Sequence, residues 1–125
     1  MMADYDNELK IMQLNCNKSK VTNVEIFKKM CKVTSAIFLL QEPYMWNNKM
    51  PGLPTGYKVL GLPKSRATVV APVFMNPVLK EEVSSLDFTV VLIKQGTKEL
   101  YLVSIYLDGK KNVISEHFIK ILDFC

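Results

Sequence analysis

Glu42 closes an unbroken apolar run in the stretch IFLLQEPY (37–44), with Gln41 before it and Pro43 directly after it. Proline cannot donate a ladder hydrogen bond, so strand pairing through residues 37–40 must stop there, which aims the Glu42 carboxylate at solvent or at a ligand. Two other apolar segments end the same way. LKIMQLNC (9–16) runs out into Asn15 and Asn17, and SIYL (104–107) ends on Tyr106 with Asp108 next. A polar residue at one strand end is ordinarily a turn former. Three such ends on one rim would gather a carboxylate, two carboxamides and a Tyr/Asp pair, hard oxygen donors of the kind that suit Mg²⁺ or another hard divalent cation.

Those groups need strands to hold them. Residues 9–16 read as a mostly buried strand. Residues 21–32 follow with Val24, Ile26, Phe27, Met30 and Cys31 at helical spacing, Thr22 and Asn23 available as N-caps, and lysines toward the C-terminal end. SAIFLL (35–40) is short and continuously apolar, as a strand buried on both faces should be. Strand, helix, strand is the grammar of a layered α/β or α+β domain. Residues 47–65 are dense in Pro, Gly and Asn and read as a long loop interrupted by an extended piece at YKVL. Residues 66–74, 88–94 and 99–107 are rich in β-branched and aromatic types, and QGT (95–97) is a hairpin signal between the last two. The strands that bear Asn15, Glu42 and Tyr106 are expected to be neighbours in one sheet.

The whole chain sets limits on this reading. Its 125 residues, 49% of them hydrophobic, suffice for one core, and a net charge of +4 is mildly favourable for a polyanionic partner. Cys16, Cys31 and Cys125 are widely spaced and His117 is the single histidine, which leaves no zinc set and fits reduced thiols. The start, MMADYDNELK, is polar and acidic, and no apolar stretch is long enough to span a bilayer. An intracellular protein, nuclear or cytoplasmic and not secreted, is the expectation.

LKIMQLNCNKSK, FLLQEPY, SRATVV and YLVSIYL, in that order, resemble the first half of the endonuclease/exonuclease/phosphatase superfamily. Within it, the pattern is most similar to the apurinic-type endonuclease domain that non-LTR retrotransposons carry ahead of their reverse transcriptase. The resemblance covers roughly residues 9–125, and LNCN (14–17) and LLQEPY (39–44) are its most specific parts. It implies an α+β fold, a two-layer β-sandwich flanked by helices in four layers (α/β/β/α), of which residues 1–125 would be a single partial domain. It also implies a hydrolase that nicks target DNA with Mg²⁺ or Mn²⁺.

Carried over by motif, the resemblance makes Asn15, Glu42 and Tyr106 catalytic, with Glu42 and Asn15 at the metal. Asn17, Gln41 and Asp108 would be auxiliary, and Lys18 and Arg66 would contact nucleic acid. An acid holds the cation, neutral donors orient the phosphate, and a phenol faces the charge that develops on phosphoryl oxygen. Arg66 reads equally well as a strand-end ion pair, and Tyr44 and Trp46 as aromatics that either stack on a base or pack the loop. Cys16, between the two asparagines, is expected in the core.

The departures are informative. LDGKK follows Tyr106 where relatives have a Pro-Asn pair, and the family's Asp-x-Asn motif, later Asp and terminal Asp-His pair have no counterpart in the 125 residues. His117 sits in a helical pattern (115–125) and is no substitute. The chain is therefore expected to be inactive alone, to lack the second sheet, and to self-associate through the apolar faces of strands 66–74, 88–94 and 99–107. The alternative is a decayed or domesticated fragment that binds nucleic acid or protein without catalysis.

Overall fold

The structure, a computed structural model, describes residues 9–33, 35–107 and 124. Strand β1 (Lys10–Asn15) leads through helix α1 (Lys20–Lys32) to β2 (Ala36–Gln41), followed by β3 (Tyr57–Leu60), β4 (Ala67–Pro72), β5 (Val78–Leu79), β6 (Phe88–Gln95) and β7 (Lys98–Ile105). A sheet of order β1-β2-β4-β3 packs on a second sheet of order β5-β6-β7. β1 and β2 are parallel, in register from Lys10 opposite Ala36 to Asn15 opposite Gln41. A parallel pair needs a crossover, and α1 supplies it.

The apolar run of β2 is continuous because both of its faces are covered. Ala36, Phe38 and Leu40 join Ile26 and Met30 of α1 and Val70 of β4 in one core cluster. Ile37 points the other way, into a cluster with Val69, Ala71, Val91, Ile93 and Leu102 between the two sheets. The 47–65 segment is not a linker: Met50 is buried in the helix-side core, with Met45 and Leu53 packed against it. At the far end of α1, the Tyr57 hydroxyl donates to the Val33 carbonyl at 3.0 Å, and burial, helped by nearby Cys31, raises its pKa above the usual value. The β6–β7 hairpin turns at Gly96, whose φ of +62° is the left-handed conformation glycine adopts without strain.

Four expectations change. α1 is capped by Ser19, whose hydroxyl accepts the Thr22 N–H, rather than by Thr22 or Asn23. The Asn23 amide is instead buried and bonded to a loop, which frees the earlier serine for the cap. Among the described residues β1 is an exposed edge strand whose strand partner is β2, and Ile11 and Leu14 stand nearly half exposed. Within the described residues a second sheet is present. The apolar residues of β4, β6 and β7, expected to face water, are buried against each other, so the surface expected to drive self-association is largely covered. Among the described residues the edge strands are β1 and β3 in the first sheet and β5 and β7 in the second. Finally, β7 lies in the sheet opposite β1 and β2, so Tyr106 is not on a sheet neighbour of Asn15. The 115–125 helix and His117 fall outside the described residues, apart from Phe124, whose ring meets Tyr101 edge-on at 5.7 Å.

Candidate nuclease rim

One row of backbone hydrogen bonds ties the strand ends together. The Cys16 N–H donates to the Gln41 carbonyl and the Lys18 N–H to the Glu42 carbonyl, each at 2.7 Å. The Glu42 N–H donates to the Arg66 carbonyl at 2.7 Å, and the Arg66 N–H to the Leu86 carbonyl at 2.6 Å. The Tyr106 N–H then donates to the Asp87 carbonyl at 2.8 Å. The row crosses from the first sheet to the second, and it brings Asn15, Glu42, Arg66 and Tyr106 to one rim. The strand ends that carry them are thus linked across two sheets rather than within one.

Each side chain has a local cause for its place. The Asn15 Oδ1 accepts the Asn17 N–H at 2.9 Å, an Asx turn that lets the chain leave β1 through left-handed Asn17 and Lys18 (φ +49° and +57°). Glu42 is left-handed as well, at φ +49°. A non-glycine residue there costs roughly 1–2 kcal/mol, and the strain is held by the Glu42 N–H and C=O bonds to the neighbouring strand ends. β2 ends at Gln41, and Glu42 follows it in this bend just before Pro43. Cys16 is fully buried beneath the turn, and burial pushes its thiol up to about 11. The stability gained from keeping that thiol neutral is complete below its ordinary pKa of 9.0 and is lost as pH rises toward 11.

Gln41 faces the sandwich interior. It is 5% exposed, and its Nε2 donates to the Ser104 hydroxyl at 3.1 Å, while that hydroxyl donates to the Leu40 carbonyl at 3.3 Å. This buried link joins β2 to β7 beneath the rim. Residue types alone gave no sign of Ser104, which lies on β7 two residues before Tyr106 in sequence. Ser104→Ala would leave the Gln41 amide buried without a partner, at a cost of about 1–3 kcal/mol. Urea unfolding should show that loss, and Ser104→Thr should recover part of it. A Ser104→Ala protein as stable as the parent would mean the link contributes nothing.

Arg66 and Asp87 form the second tie between the sheets. The Arg66 Nε donates to Asp87 Oδ1 at 2.6 Å, and the guanidinium lies 5.0 Å from the centre of the Tyr106 ring. The ion-pair reading of Arg66 thus holds, and the stacked cation also orients the phenol. Lys18 is exposed at the turn beside Glu42. Asp108 lies outside the described residues.

The donor set can be tested against a divalent cation. Glu42 offers one carboxylate, and the Asn15 oxygen, with one hydrogen bond accepted, keeps a lone pair. Among the described residues no group of three His, Cys, Asp or Glu side chains could enclose a metal. The pair fits Mg²⁺ bound through one or two protein oxygens and completed by phosphate and water, and does not fit a closed cage.

No family model matches the chain. Its sequence is similar to the 115 kDa protein of the type-1 retrotransposable element R1DM of Drosophila melanogaster, 24% identical over 86 residues that are 69% of this chain and 8% of that protein. Its fold is that of the endonuclease domain of TRAS1, a telomere-specific non-LTR retrotransposon, with a TM-score of 0.73 and 20% identity. That match covers 94% of this chain and 52% of the solved chain, so this chain spans about half the length of the domain it resembles. Two sheets face to face with a flanking helix belong to the sandwich class expected from the sequence, although only one of the sheets was expected in this chain. Among the described residues no helix is long and apolar enough to cross a membrane.

Proposed function

We propose that the chain is the N-terminal part of a divalent-metal-dependent DNA endonuclease domain of a retrotransposon polyprotein, which nicks target DNA to prime reverse transcription. The observation that carries this reading is Glu42, held in a left-handed bend on a rim where Asn15 and Tyr106 also arrive, in a fold shared with a retrotransposon endonuclease domain. Glu42 would hold Mg²⁺ or Mn²⁺ with Asn15 beside it, and the ion, when bound, neutralises charge on the phosphoryl oxygens. The Tyr106 hydroxyl donates toward the same phosphate, kept in place by Arg66. Gln41 acts beneath the rim, by joining the sheets, and Asn17 shapes the turn that carries Lys18. The chain alone is inactive in this reading, because water activation requires groups that the described residues do not supply. That same shortage favours a second reading, a non-catalytic nucleic-acid-binding fragment.

DNA binding tests what both readings share. Fluorescence anisotropy with a labelled duplex should show binding that weakens as salt rises, with little sequence preference. Lys18→Ala should reduce the slope of log K against log salt by about 0.9, the value for one lost phosphate contact. Arg66→Ala should reduce it less, since Asp87 already compensates that charge. Absence of salt-dependent binding to any duplex would refute the proposal.

A further inference from the structure

Beside the rim lies a cleft of about 390 Å³ whose lining includes Lys20, Asn23, Val24, Phe27, Tyr44 and Trp46. That volume is within the roughly 300–1,000 Å³ of small-ligand sites. Its aromatic wall is exposed yet fixed. Trp46 is 65% exposed, although a packing residue would be covered. It opens a tight turn in which Trp46 and Lys49 exchange backbone hydrogen bonds of 2.8 and 3.0 Å. Asn47 and Asn48 between them are both left-handed, at φ +51° and +60°, as a two-residue turn of this hand requires.

The neighbouring wall is held by Asn23, 2% exposed, which donates from Nδ2 to the Tyr44 carbonyl at 2.9 Å and accepts the Tyr44 N–H at 3.3 Å. The Lys20 ammonium stands 5.1 Å from the centre of the Tyr44 ring. Among the described residues no carboxylate lines the cleft. The exposed Trp46 face on fixed backbone, beside half-buried Tyr44 and the Lys20 cation and with no acid among the described lining residues, matches a nucleobase whose phosphates run past Lys18 and Lys20. Only Pro43 separates Tyr44 from Glu42 in sequence, so an occupant of the cleft sits next to the rim.

We infer that this cleft takes an unstacked base of the DNA strand, with Trp46 as its stacking platform. The inference rests on the reading of the rim as a DNA site. It gives the chain a preference for strands whose bases are already free, because a paired base must first be pulled from its stack.

The chain contains a single tryptophan, so its emission reports on the cleft. The intact chain is titrated with a twelve-residue thymidine oligonucleotide and with an abasic oligonucleotide of the same length and charge, following tryptophan emission and the anisotropy of a 5′ label. The thymidine strand should quench Trp46 about twofold or more and bind about tenfold more tightly than the abasic strand, the scale of one stacked base. Trp46→Ala should abolish that preference and Trp46→Phe should restore most of it. Equal binding of both strands, with emission unchanged, would overturn the stacking site while leaving the nuclease reading in place. Failure of either strand and of duplex DNA to bind would overturn both.

Discussion

Supercoiled plasmid incubated with the 125-residue chain and Mg²⁺ is expected to stay supercoiled while the chain binds it. A phosphodiester in water is cleaved only when the nucleophile is activated and the developing charge is met by several preorganised groups. Among the described residues the rim offers the Glu42 carboxylate, the Asn15 carboxamide and the Tyr106 phenol, with the Asp87 carboxylate already paired to Arg66, and no group of three possible metal-binding side chains exists there. Where catalytic groups act as a unit, removing one can cost on the order of 10⁶-fold in rate, which would put nicking below detection. The check is an agarose-gel assay over hours with purified chain and its Glu42→Gln variant. Nicking that survives purification and vanishes in Glu42→Gln would show that the chain carries a complete site, and the inactivity proposed for it would be abandoned.

Ile37→Ala is expected to lower stability by about 2–5 kcal/mol, a large part of the 5–15 kcal/mol available to a typical domain. Ile37 is fully buried between the sheets, against Val69 and Val91, and neither rigid sheet can move in to fill the cavity. Ile11→Ala removes the same atoms from a strand where the side chain is 46% exposed, and should cost within about 0.5 kcal/mol. Urea midpoints at unchanged m-value report both. Equal losses at the two positions would mean that the sandwich interior is not where the fold draws its stability.

The contrast between these isoleucines also shows what the sequence could reveal. In LKIMQLNC and SAIFLL the apolar content is alike, and both read as buried strands. Only β2 is, because burial depends on which strands lie to either side, a property of topology that one segment does not encode. YKVL, the QGT turn and the strands near 66–74, 88–94 and 99–107 were legible because β-branched runs and turn residues act locally. β5 is two residues long, too short for any period to show. The rim residues were legible as types at strand ends, and Glu42 owes this to Pro43. That Tyr106 arrives from the opposite sheet, and that Gln41 turns inward to Ser104, depends on contacts more than sixty residues apart.

Those long separations bear on how the protein is made. Gln41 and Ser104 are 63 positions apart, and Ser104 and the Leu40 carbonyl 64. At about 5–20 residues per second, a ribosome needs roughly 3–13 s after making Gln41 before Ser104 exists. During that interval β1, α1 and β2 can assemble from nearby sequence, but the inner face of β2 has no partner and the rim has no second wall. The emerging chain thus passes through a stage that shows Ile37 and its neighbours to water, which is where a chaperone would find it.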